Sequence, residues 1–247
     1  MTNLEIGGDQ NADDGRILEA ELEGLVASHG AWLDSNGSEG SKFDMPGANL
    51  IYGGFFLAEL RQANLPGVCL IKANLRECDL AEANLEGANL EGASMVNVNL
   101  AGANLKGAKL DRAIIPGVEV ESADLRGASF RSSNLLSAKI TGSELGGVDF
   151  TDANLAGGAI QDSDLGGADL TDAKLMLTNF SGSSLNGANF TNAVVFGAIF
   201  EQTDLSDVDM STCQGLTREQ LELAFGNAGT RLPANVIDYV MREKPTS

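Results

Sequence analysis

The sequence predicts a solenoid of square cross-section: a stiff rod with a filled interior and a helical segment at each end. Three observations carry this expectation. Every fifth residue from Leu50 to Met210 is Leu, Phe, Ile, Val or Met, thirty-three positions without a break in register. Two residues before each stands a small residue, most often Ala, and Asn or Asp commonly lies between, as in Ala83-Asn84-Leu85 and Ala168-Asp169-Leu170. Gly recurs two residues after the central position at 67, 87, 107, 127, 147, 167 and 187, a spacing of 20. A period of five drifts off both the helical and the strand repeat, so the chain must turn once per unit and keep the large and the small side chain inside. One such unit cannot bury its apolar pair alone, so units stack. The 20-residue super-period means four units per coil. The recurrent Gly corner is expected to need a positive φ.

The elements follow in order. Residues 1–12 are polar and acidic and are expected to be disordered. Residues 13–47 read as an N-terminal cap and linker. A helix over 14–28 places Ile17, Leu18, Leu22, Leu25 and Val26 on one stripe. His29-Gly30-Ala31-Trp32-Leu33 then seats the segment on the first coil, or forms a partner-binding arm, before a Gly/Ser stretch to Lys42. Residues 48–212 are the repeats, with Phe130, Phe150 and Phe190 in one register and Phe180 and Phe200 in another. Residues 213–247 form a C-terminal helical cap. Thr217 and Gln220 make a capping box, Leu216 and Leu221 a hydrophobic staple, and Gly226 a stop. Leu232-Pro233 opens a second short helix with Val236, Ile237, Val240 and Met241 on one side.

The A(D/N)LXX units resemble the pentapeptide-repeat family over about two thirds of the chain. The resemblance implies an all-β solenoid, a right-handed quadrilateral β-helix, here of about eight coils. At roughly 4.8 Å per coil the rod is about 40 Å long. The C-terminal segment also resembles the helical tail of family members in which such helices join two rods end to end. That implies a homodimer through Leu221, Phe225, Val236, Ile237 and Val240, a monomeric cap being the other reading.

Function must sit on the outside, because the inside is filled. The net charge of −19 argues against direct nucleic-acid binding. The single His29 has no acid–base partner nearby in sequence, and Cys69, Cys78 and Cys213 lack metal-ligand or disulfide spacing. No catalytic, metal or cofactor site is expected. With no leader and no long apolar run, the expectation is a cytoplasmic protein of bacterial style, without a transmembrane segment.

Two outer features depart from a uniform polar surface. One register after the central residue reads Phe56, Arg76, Val96, Pro116, Leu136, Ala156, Met176 and Phe196, flanked by Ile114, Val194, Leu57 and Leu177. Phe56, Val96, Leu136, Met176 and Phe196 are therefore candidates for contact with a protein partner of unknown identity. Residues 140–212 hold 11 acids and only Lys174 as a base. Asp149, Asp152, Asp164, Asp169, Asp172, Asp204 and Asp209 lie within about 17 Å of rod, a charge density on the order of duplex DNA. The leading expectation is a non-enzymatic protein-binding scaffold. The alternative, which the family resemblance supplies, is a DNA-mimicking modulator of DNA gyrase or another DNA-binding protein.

Overall fold

The computed structural model describes residue 17 and residues 19–245. The disorder expected over 1–12 lies outside the described residues. From Asp44 onward the chain is a parallel β-solenoid. The residue before each central position bridges its counterpart 20 residues on, as in Asn64↔Asn84, Asn84↔Asn104 and Asn104↔Asp124. Each side bonds to the next coil through backbone groups: Asn84 N–H donates to Ala63 O, Leu65 N–H to Asn84 O and Gly67 N–H to Glu86 O. Within the coil each corner is closed by a bond such as that from Ala63 N–H to Leu60 O. The small residue and the large residue of every unit point inward, and the central residues from Leu50 to Met210 are all buried.

The aromatic core is concentrated late in the rod. Phe180 and Phe200 stack at 5.6 Å, and Phe190 meets each edge-on at 6.4 Å. Phe130 and Phe150 stack at 5.2 Å in the column that also holds Phe190.

The recurrent glycine corner has the expected positive φ, between 63° and 67° from Gly67 to Gly187, but it is not alone in this. Positive φ is not a property of the 20-residue glycine register alone. All four corners use it, and Glu77, Glu82, Asp152, Asp172, Leu177 and Asn192 adopt φ between 56° and 59°. A turn with positive φ at its second central residue recurs on every side. A Cβ at Gly67, Gly107 or Gly167 would meet nothing within 4 Å, so positive φ and not crowding favours glycine there, although the same angle does not impose glycine at the other corners.

One stretch departs from the regular turn. Three short parallel strands, β1 (Glu119–Glu121), β2 (Lys139–Thr141) and β3 (Ala159–Gln161), stack in register on one side. Their central residues Val120, Ile140 and Ile160 are β-branched, which favours extended backbone. The corner following each strand opens, and the N–H of the third residue after the centre loses its usual acceptor. Serine hydroxyls replace it: Ala123 N–H donates to Ser143 Oγ, Ser143 N–H to Ser163 Oγ and Ser163 N–H to Ser183 Oγ, each at 3.1 Å.

Both ends differ from the sequence expectation. Helix α1 spans Glu19–Asp34 and so ends later than the expected 14–28, of which residues 14–16 and 18 lie outside the described residues. It extends because its last turns seat it on the first coils. His29 is fully buried, its Nδ1 accepts the Phe43 N–H at 2.9 Å and its Nε2 donates to Arg61 O at 2.9 Å. Trp32 stacks on the His29 ring at 5.6 Å. At the other end the capping box forms, with Thr217 N–H donating to Gln220 Oε1 at 2.9 Å. Helix α2, however, spans only Arg218–Leu221, and no helix starts at Leu232. The open end of the last regular coil offers unpaired backbone groups, and the tail satisfies them instead. Gln220 Nε2 donates to Val195 O and Ala198 O and the Thr230 hydroxyl to Leu205 O, while bonds from Asn235 Nδ2 to Leu216 O and from the Tyr239 hydroxyl to Leu221 O hold the tail on itself. The bridge ladder accordingly continues past 212, through Asp204↔Phe225, Asp209↔Arg231 and Phe225↔Arg242.

Candidate functional site

The outer surface of a coil offers four flat sides, each centred on the bridging residue, and four corners. Two diagonally opposite corners stand out. One carries the residue pairs 56–57, 76–77 and so on to 196–197 and is here called the apolar edge. The other carries the pairs 66–67 to 206–207 and is the glycine edge.

On the apolar edge Leu136, Met176, Leu177 and Phe196 are exposed, Leu177 at 66% and Phe196 at 54%. Ile114 and Ile199 are exposed on the two adjoining sides. Phe56 and Val96 are half-buried. Sequence reasoning missed Ile199; the available signal was an Ile at a position where Asn or Asp is usual. Two of the large side chains of the edge, Leu177 and Phe196, rest on glycines that follow them. A Cβ at Gly197 would sit 2.7 Å from Leu177 Cδ2, and one at Gly215 would sit 2.5 Å from the Phe196 ring. The ridge is thus held in place rather than left to wander.

Most of the candidate acids lie on the two sides that meet at the glycine edge; Asp152 and Asp172 sit instead at the corner one side further round. Glu144, Asp164 and Asp204 occupy one column, and Asp149, Asp169 and Asp209 the other. Each of these aspartates first serves its own turn. Asp164 Oδ1 accepts the Gly166 N–H, Asp169 Oδ1 the Thr171 N–H, and Asp209 Oδ1 the Ser211 N–H, at 2.9–3.0 Å. Asn84 and Asn104 do the same for Glu86 and Lys106. The turn therefore needs an oxygen at this position and does not need a charge.

Several of the acids are neutralised from outside their own segment, which the sequence did not reveal. Arg131 pairs with Asp149 at 2.8 Å, Arg126 with Glu144 at 3.1 Å, Arg231 with Asp209 at 3.3 Å and Lys244 with Asp204 at 3.1 Å. Partial burial pulls the Asp149 carboxyl upward, but Thr151 and Arg131 outweigh it and hold it below the usual range. Asp204 behaves alike, burial opposing Ser206 and Lys244, and Asp209 is lowered by Ser211 and then by Arg231. Among the described residues Asp152, Asp162, Asp164, Asp169, Asp172, Glu201 and Asp207 are in none of these ion pairs. The pairing thus interrupts the charged field, which still extends from Asp152 to Asp207.

The proposed dimer residues divide. Leu221 and Val236 are buried in their own chain, and Phe225 is half-buried beneath the Arg242 guanidinium at 5.4 Å. Only Ile237 and Val240 are exposed, at 66% and 86%. This corrects the helical dimer stripe: the tail is a coil that closes the rod, not a helix with a free face.

Chemistry-bearing groups are few among the described residues. No cluster of His, Cys, Asp and Glu is placed to hold a metal ion. Burial pushes the Cys78 thiol far up and the Cys213 thiol up to about 12, so neither is a ready nucleophile. A polar cleft of about 500 Å³ runs between the end of α1 and the first coils, lined by Trp32, Glu59, Arg61 and Asp79. No buried side-chain polar atom is left without a hydrogen bond among the described residues. No described helix is long and apolar enough to cross a membrane.

The family model for pentapeptide repeats matches in eight copies, over residues 57–80, 78–117, 133–172 and 173–211. The chain is also similar to several solved structures. HetL, a pentapeptide repeat protein involved in heterocyst differentiation regulation from the cyanobacterium Nostoc sp. strain PCC 7120, is 21% identical, covering 90% of this chain and 99% of that one at a TM-score of 0.47. Trypsin-treated QnrB1, a plasmid-mediated fluoroquinolone resistance protein, is 18% identical, covering 78% and 91% at a TM-score of 0.39. Rfr23 from the cyanobacterium Cyanothece 51142 is 24% identical, covering 38% and 60% at a TM-score of 0.26. No curated protein sequence matches the chain.

Proposed function

The chain belongs to the pentapeptide-repeat family, and from that premise we propose that it is a non-catalytic scaffold that binds a protein partner with the outside of its rod. The observation that carries this reading is the apolar edge. From residues 96–97 to 196–197 this corner holds no charged side chain, although the chain as a whole carries a net charge of −19. Exposed large side chains recur along it, and Leu177 and Phe196 are seated on Gly197 and Gly215. A contiguous apolar strip of this kind is unusual on a soluble monomer unless it serves a contact. The packed interior supports a role in contact rather than in chemistry.

The second reading is modulation of DNA gyrase, or of another DNA-binding protein, by mimicry of duplex DNA. It is favoured by one observation: Asp164 and Asp169 carry charge where Asn would serve the turn equally well. The pairing of Asp149, Asp204, Asp209 and Glu144 with basic side chains weakens the charged field, and this reading therefore stands second.

Affinity capture from host extract separates the two. A partner lost with Leu136→Asp plus Phe196→Asp and kept with Asp164→Asn plus Asp169→Asn supports the scaffold. The reverse pattern, with salt-sensitive inhibition of gyrase supercoiling, supports mimicry and overturns the scaffold.

A further inference from the structure

We propose that the apolar edge pairs with the same edge of a second copy, antiparallel, about a two-fold axis lying between the coils of Ala156 and Met176. The inference rests on the reading that the edge is a protein-binding surface, and it names the protein. Two features of the edge argue for a second copy. The first is its relief. Counting coil by coil, Ala156-Gly157 forms a notch between Leu136 on one side and Met176-Leu177 on the other. An antiparallel two-fold at that level lays Met176 and Leu177 over the partner's Ala156 and Gly157. It also sets Phe196 against the partner's Leu136. Each projecting side chain then meets a notch or another apolar side chain, as a self-complementary interface requires.

The second feature is charge. The acidic columns flank the glycine edge, which is diagonally opposite the apolar edge. Two copies of a chain with net charge −19 that meet edge to edge turn their acidic sides away from each other. Contact through the acidic columns would instead bring like charges together. The seats at Gly197 and Gly215 hold Leu177 and Phe196 before the partner arrives, so little side-chain freedom is lost on pairing. The charge-free edge is about 25 Å long. As a ridge it buries roughly 300–400 Å² per copy, below a standard interface, so association is reversible and expected to be weaker than about 10 μM.

Sedimentation velocity from about 5 to 500 μM tests this. The expected result is a monomer–dimer equilibrium that shifts at least tenfold toward monomer with Phe196→Asp and, independently, with Ala156→Arg, each checked for an unchanged circular dichroism spectrum. Register is read by disulfide cross-linking in a Cys69→Ser background. A mixture of Phe196→Cys protein with Leu136→Cys protein should cross-link, and neither should cross-link alone. A monomer at every concentration overturns the inference. So does a dimer indifferent to both edge variants, or cross-linking within either single-variant sample. A monomer whose captured partner is still lost with Leu136→Asp plus Phe196→Asp would sink this inference and leave the scaffold reading standing.

Discussion

The same side of the rod is built in two ways. In its first half the outer column is Asp44, Asn64, Asn84 and Asn104, and the amides link coil to coil: Asn64 Nδ2 donates to Asp44 Oδ1 at 2.8 Å, and Asn84 Nδ2 to Asn64 Oδ1 at 3.0 Å. In its second half the column is Asp124, Glu144, Asp164, Ser184 and Asp204, where carboxylates cannot donate to one another. The inner column changes as well, from Ala63, Ala83 and Ala103 to Ser143, Ser163, Ser183 and Thr203, all buried. The two halves share turns, register and core. They differ in what joins neighbouring coils: amide to amide outside in one, hydroxyl to backbone inside in the other. Like charges about 5 Å apart cost about 1 kcal/mol even in bulk water. The acidic half therefore gives up some stability in exchange for a charged surface.

The largest effect that breaks the comparison is expected inside the second half. Ser163→Ala leaves the Ser143 N–H buried without its acceptor and should cost about 1–3 kcal/mol, read as a lowered melting temperature. No such penalty is available at Ala83, whose N–H donates to Leu80 O. An unchanged melting temperature would remove the hydroxyl ladder from the account. Ala168→Leu, in the inner small position of the neighbouring side, should overpack the coil and cost about 1–3 kcal/mol by the same assay. A neutral result there would mean the small column does not face inward.

Smaller effects sharpen the contrast outside. Asp164→Asn with Asp169→Asn keeps both turn acceptors and removes repulsion, so it should stabilise by a few tenths to about 1 kcal/mol at low salt and by less at high salt. Destabilisation would show that the charges are paired. The smallest effect should be local to the N-terminal cap. Burial of His29 lowers its pKa, with the Arg61 carbonyl opposing and Lys42 adding to the shift. A histidine lowered in the fold is neutral there, so its contribution is complete above the unfolded value of about 6.5 and is lost as pH falls below it. Protonation would set two donors, Nδ1–H and the Phe43 N–H, against each other. Proteolysis within α1 should thus quicken between pH 7 and 5, and His29→Gln should flatten that profile. A flat profile in the parent protein would contradict the neutral seat.

The repeat architecture was legible because its period of five excludes both ordinary elements, and four sides per coil followed from the spacing of glycines. The reason first attached to those glycines held only in part, since Glu77, Asp152 and Leu177 take the same positive φ without being glycine. The apolar edge was legible residue by residue, because position in a strict repeat fixes which corner a side chain occupies. Charge pairing was not: Arg131 meets Asp149 across 18 residues and Lys244 meets Asp204 across 40. The serine ladder looked like ordinary small-residue variation until the corners after Val120, Ile140 and Ile160 were seen to open. The tail misled for a different reason. Its apolar spacing suits a short helix, but a short helix gains little on its own, and the open end of the rod offers backbone partners that win.

The most direct test of the claim that this protein acts through its uncharged edge is the salt dependence of binding to its captured partner, measured by calorimetry at low and high ionic strength. The account predicts an affinity that changes less than about threefold with salt and is lost with Phe196→Asp. An affinity that falls steeply with added salt and survives Phe196→Asp would contradict it and move function to the acidic sides.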